Sequence, residues 1–216
     1  MCFSATASFS TGILLLGAGI LTVKAARSPR EVPFAAIPLL FSVQQLIEGV
    51  IWLKFRYEAP LLNAVMTHGY SFFSHVLWPV YVPVAVLLME PPGWRRTTLR
   101  VLSMAGMAMS AYLMYILVMY PVVSQPTGQH IEYLSPHFLA AAVMSAYLLS
   151  TTISPIVSSY PWVRVFGVLA LMSFAGVYYF YAKWFISVWC FFAAVLSLVV
   201  FVHFSWGDRQ TDAVAA

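Results

Sequence analysis

Long apolar runs, broken by short polar stretches, recur along the whole chain. The first extends from Ser10, or as early as Ala5, to Val23, and Lys24, Arg27 and Arg30 follow at once. Others cover Val32 to Trp52, part of Leu61 to Met89, and Leu99 to Met119. A polar stretch from Tyr120 to Ser135 separates these from three more: Pro136 to Ile153, Trp162 to Phe180 and Trp184 to Phe204. A bilayer core about 30 Å thick takes roughly 20 apolar residues as a helix. The pattern therefore predicts an all-α integral membrane bundle of about seven transmembrane helices. The bundle should occupy residues 1–206, with a short polar tail over 207–216.

Composition supports this. Of 216 residues, 62% are hydrophobic and 8% charged, whereas a soluble domain carries roughly 25% charged residues. Lipid must be the solvent for most of that surface. The net charge of +4 is scattered through short loops with no basic run, so the expected partner is the lipid bilayer and not nucleic acid. No basic segment precedes the first apolar run, which reads as a true span and not as a cleaved signal.

Charge also predicts orientation, because Lys and Arg collect on the cytoplasmic side of short loops. Lys24, Arg27, Arg30, Arg95, Arg96, Arg100, Arg164 and Arg209 fall on one side, and Lys54, Arg56 and Lys183 on the other. The N-terminus and the Tyr120–Ser135 loop should lie outside, and the C-terminus in the cytoplasm.

Against this background the polar residues inside spans stand out. Of seven acidic residues, only Glu48 lies within one. Such a group costs a few kcal/mol at least and faces a bundle interior or wet cavity. Phe41, Gln44, Gln45, Glu48 and Trp52 recur at helical steps, so they share a face. Two amides and a carboxyl there form either interhelical glue or a site. In the third span His68, Ser71, His75, Trp78 and Val82 recur at steps of three and four. At 1.5 Å rise per residue, His75 and Glu48 both lie roughly 6–7 Å inside the outer boundary. Pro79 removes a hydrogen bond from the carbonyl four residues earlier, that of His75, beside which a water, a cation or a polar ligand could sit. His130, Glu132, Tyr133 and His137 fall on the same side, as do Cys2 and Cys190. The cysteines have three readings: a disulfide in an oxidising compartment, thiolate ligands to a soft metal with histidine nearby, or two unlinked thiols. Gly17, Gly19 and Gly106 read as helix-packing sites.

Four patches carry a resemblance: Met1-Cys2-Phe3-Ser4-Ala5-Thr6-Ala7-Ser8-Phe9, Gln44-Gln45-Leu46-Ile47-Glu48-Gly49 with Trp52, Gly128-Gln129-His130-Ile131-Glu132-Tyr133, and Phe185-Ile186-Ser187-Val188-Trp189-Cys190. In these the chain resembles a bacterial family of polytopic membrane proteins of unknown function. The resemblance implies a place in the bacterial cytoplasmic (inner) membrane. It directs attention to Cys2, Gln45, Glu48, His130, Trp189 and Cys190 and less to His75, and it implies no chemistry. The architecture is also similar to that of the alkaline ceramidases and adiponectin receptors, which are seven-helix zinc hydrolases. Their paired histidines four apart on the last helix are missing here.

Three functions follow as expectations. The first is a binder of a lipid or small amphiphilic ligand, or an accessory subunit of a larger membrane complex, with Gln44, Gln45, Ser71, His75, Tyr133 and Trp189 lining the pocket. The second is an intramembrane hydrolase dependent on zinc or another transition metal. Cys2, His75, His130 and Cys190 would supply metal ligands, and Glu48 would act as general base. The third is a transporter of a small solute or proton, which the lack of internal repeats disfavours.

Overall fold

In a computed structural model the chain forms an all-α bundle with one small β-hairpin; residues 4–57, 59–128, 130–134, 140–181 and 184–206 are described. Helix α1 spans Ala5–Ala25 and starts at Ser4, whose side chain accepts a hydrogen bond from the Ala7 amide at 3.2 Å as an N-cap does. A short α2 (Val32–Ala35) leads into α3 (Ile37–Tyr57). The next rod is α4 (Pro60–Ser71), a π-helical turn (Phe72–Leu77) and α5 (Trp78–Met89). Helix α6 covers Trp94–Met119. After the hairpin come α7 (Ala140–Leu148), a second π turn (Leu149–Ile153) and α8 (Ser154–Val157). Then follow α9 (Pro161–Tyr181), α10 (Phe185–Leu196) and α11 (Leu198–Trp206).

Six of the described rods are long and apolar enough to cross a membrane. The seventh has a shorter apolar stretch, Ala142–Val157. It ends four residues beyond the expected Ile153, and its expected start at Pro136 lies outside the described residues. The pattern of exposure is that of a protein solvated by lipid. Val118 is 70% and Met172 65% exposed, whereas Gln44, Gln45 and Glu48 are 0% exposed. Water would reverse that order.

The seam between α1 and α3 is built from small residues. The buried face of α1 is Ser8, Gly12, Leu15, Gly19 and Thr22, at steps of four and three. The Ser42 hydroxyl donates to the Gly12 carbonyl at 2.7 Å. A Cβ on Gly12 would meet Leu46 at 2.9 Å, and one on Gly19 would lie 2.7 Å from the Leu39 backbone nitrogen. Close backbone approach of this kind is how helices associate where burial from water supplies no drive. A Cβ on Gly17 would meet nothing, so the second packing glycine of this helix is Gly12 in its place.

The polar stretch expected as a loop contains the hairpin β1 (Val123–Thr127) and β2 (His130–Leu134), paired antiparallel from Val123↔Leu134 to Thr127↔His130. Gly128 turns the chain at φ +64°, which glycine adopts without a Cβ penalty. Ile131 and Tyr133 point inward while Glu132 lies on the opposite face, the period of two expected of a strand. Glu132 accepts from Gln125 at 3.2 Å and from Thr127 at 3.0 Å. The hairpin closes one end of the bundle against α4 and α10.

Candidate polar site beneath the hairpin

Helix α3 brings Gln44, Gln45 and Glu48 to the bundle interior below the hairpin, all fully buried. The Ser187 hydroxyl on α10 donates to Glu48 Oε1 at 2.7 Å. The Trp78 indole donates to Gln44 Oε1 at 2.8 Å, and its ring stacks on Phe41 with centroids 3.9 Å apart. The Cys190 thiol, one turn on from Ser187, lies beside Gln44, Tyr70 and Glu48. Above this layer Tyr70 and Tyr133 stack nearly parallel at 4.5 Å, packed with Ile51, Ile131 and Cys190.

The cluster includes buried polar atoms with no hydrogen-bond partner among the described residues. Gln45 has two, its amide nitrogen and its amide oxygen. The Trp52 indole N–H and the Ser71 hydroxyl are in the same position. Buried polar groups are bonded to protein, water or ligand in the great majority of cases. Gln45 and Trp52 lie on the α3 face that carries Glu48, three residues before it and four after.

The third rod explains where the histidines go. Its π turn adds one residue to the helical count, yet Ser71, Trp78 and Val82 of the expected stripe still face the core. Its buried positions include Thr67, Tyr70, Ser71, Ser74, Val76, Trp78 and Val82, while His68 and His75 are half-buried. His75 Nδ1 hydrogen-bonds the Ser74 hydroxyl at 2.8 Å, and His68 Nδ1 pairs with the Ala64 carbonyl at 2.9 Å. In the π register the carbonyl facing Pro79 is that of Ser74, five residues back, and not that of His75. The Tyr147 hydroxyl donates to it at 2.6 Å.

The other sequence candidates spread around this core. Trp189 is buried among Tyr147, Phe174 and Phe185 and donates to the Ala170 carbonyl at 3.4 Å. His130 stacks on Trp184 at 4.6 Å, at the hairpin. Cys190 is a buried free thiol. Cys2 and His137 lie outside the described residues. Among those described, no three His, Cys, Asp or Glu side chains come close enough to hold a metal ion.

Sequence reading did not single out Ser187, although it sits in the Ser187-Val188-Trp189-Cys190 motif one turn before Cys190. It also left Glu90 in a loop. Glu90 is 2% exposed at the opposite end of the bundle. Its carboxylate accepts from the Ser158 hydroxyl at 3.0 Å and from the Ser159 amide at 3.0 and 3.1 Å, which ties α5 to the start of α9.

Burial holds the His130 imidazole below its ordinary pKa of 6.5. Protonation is thus disfavoured in the docked hairpin. The stability this contributes is present above the unfolded value and is lost as pH falls through the lower folded one. Histidine NMR should show His130 titrating below 6.5, with Trp184 emission changing over the same range. A midpoint at or above 6.5 contradicts the partly buried placement against Trp184.

Fold and site together define a multi-pass membrane protein with a buried polar cluster closed by a hairpin at one end. The chain belongs to a family of unknown function (DUF6629), whose family model matches residues 1–216. No curated protein and no solved structure gives a significant match.

Proposed function

We propose that this protein binds a small polar ligand, or the headgroup of a lipid or other amphiphile, in the cluster around Gln45 and Glu48. The observation that carries this reading is Gln45: it is fully buried, and both atoms of its amide lack a partner among the described residues. A structural amide in an apolar bundle would be bonded, or replaced at little cost by leucine. We place the protein in a bacterial cytoplasmic membrane, with the hairpin end outward. The charge pattern supports this: eight of the eleven Lys and Arg residues fall in segments expected on the opposite side, as positive-inside topology requires.

A second reading, a zinc-dependent hydrolase with Glu48 as general base, is favoured by the Cys190 thiol beside that carboxyl. Metal analysis of purified protein separates the two, since binding of an organic headgroup requires no stoichiometric metal.

Gln45→Leu tests the binding reading. Native mass spectrometry of gently extracted wild type should show a retained small-molecule adduct, and the variant should lose it. Heat stability of the ligand-free variant should stay level or rise by about 1 kcal/mol, because an unbonded buried amide has been removed. A variant that is more stable and keeps every adduct of the wild type overturns the proposal.

A further inference from the structure

Below the polar cluster lies a cavity of about 30 Å³. Its walls come from α3, α5, the α7 rod, α9 and α10, and include Phe41, Trp78, Tyr147, Thr151, Trp189 and Cys190. The polar groups of four of these residues are committed elsewhere. The Trp78 indole donates to Gln44, and the Trp189 indole to the Ala170 carbonyl. The Tyr147 hydroxyl donates to the Ser74 carbonyl, and Thr151 to the Tyr147 carbonyl at 2.8 Å. A buried water needs two to four polar partners, which these walls do not provide. The space suits apolar matter. By comparison with a cavity of about 150 Å³ that admits benzene, it has room for roughly one or two heavy atoms.

This cavity shares two walls with the polar cluster. Trp78 lines it with its ring while bonding Gln44, and Cys190 lines it while lying beside Gln44 and Glu48. We infer that the ligand is an amphiphile with a short apolar end, a methyl or ethyl group, which enters the cavity past Trp78 and Cys190 while its polar end bonds the cluster. This rests on the reading that the cluster holds a polar ligand. It adds a size limit on the apolar side. A ligand with a long chain must direct that chain elsewhere, between helices and into lipid.

Xenon is the probe for the cavity, because it needs no hydrogen-bond partner. Crystals of wild type under xenon should show an anomalous peak between Trp78, Trp189 and Cys190. Ala193→Leu, which fills the cavity from α10, should abolish that peak. It should also lower retention of the native adduct by roughly fourfold to fifteenfold, the value of one or two buried carbons. Thr151→Ile reaches the same space from the opposite wall and serves if Ala193→Leu fails to fold. A xenon peak lost in the variant, with the adduct retained at wild-type level, overturns the inference and leaves the cluster reading standing. Ordered water in place of xenon overturns it as well. No adduct in wild type overturns the cluster reading itself, whatever xenon does.

Discussion

Gly106→Ala lowers the stability of the bundle by about 3 kcal/mol or more, the upper range for overpacking, and cuts the yield of folded protein. A Cβ at this position collides with the Pro79 carbonyl oxygen and lies 3.0 Å from the Pro79 carbonyl carbon and 3.3 Å from Pro83 Cγ. Backbone on both sides cannot move aside as a flexible side chain would. Pro83 has no N–H to give the Pro79 carbonyl, so that oxygen is free to press against α6 at its one glycine. The same region holds Ser110, whose hydroxyl donates to the Val76 carbonyl at 2.7 Å. The interface between the third rod and α6 thus fits carbonyls loosened by the π turn and prolines. In thermal unfolding of purified protein the loss corresponds to roughly 6–12 °C for a chain of this size. Gly17→Ala is the matched control. Nothing lies within 4 Å of its added Cβ, and alanine is the better helix former by up to about 1 kcal/mol. Equal losses in the two variants would contradict the packing described.

Glu48→Ala removes the acceptor of a buried hydroxyl and should cost about 2–4 kcal/mol, combining an unsatisfied buried hydroxyl with a small void. Ser187 Oγ lies 2.7 Å from Glu48 Oε1 and is fully buried, so losing this acceptor costs more than it would at an exposed site. Adding Ser187→Ala to Glu48→Ala should therefore cost little more. The double-mutant cycle should give a coupling of about 1.5–3 kcal/mol. Glu48→Gln keeps an oxygen for Ser187 and should fold nearly as well as wild type, while the bound adduct is lost. That contrast between folding and binding separates a ligand site from interhelical glue. If Glu48→Gln retains the adduct, the carboxyl serves packing alone.

Much of the fold is legible in the sequence because lipid leaves the chain few options. Apolar runs of about 20 residues are helices there, and the rods fall close to the expected ranges from Ala5–Ala25 to Leu198–Trp206. What escapes the pattern is local. The turn at Phe72–Leu77 looks like ordinary helix by hydropathy. Around it Tyr70 and Ser74 are buried while His68 and His75 are half-buried, which hydropathy does not show. The hairpin is hidden because Gln125, Thr127, His130 and Glu132 read as loop residues. Only Gly128 and the inward alternation of Ile131 and Tyr133 mark it.

The site divides in the same way. Glu48, Gln44 and Gln45 are visible because polar groups in an apolar helix are costly. Ser187, the partner of Glu48, is not, since serine is tolerated anywhere in a membrane helix by bonding back to its own backbone, as Ser150 and Ser154 do. Nothing in the spacing distinguishes those from Ser187, which reaches across to another helix. Glu90 shows the converse. Its place beside Pro91 and Pro92 reads as loop, whereas it caps α5 and is buried against Ser158 and Ser159.

The most direct measurement is a high-resolution map of the protein purified in lipid nanodiscs, read at the Gln45 amide. The account predicts density larger than a water, belonging to no residue of the chain, with an atom about 2.7–3.2 Å from that amide, and loss of this density in Gln45→Leu. A map in which ordered waters alone, or the chain's own groups, bond the Gln45 amide would contradict it.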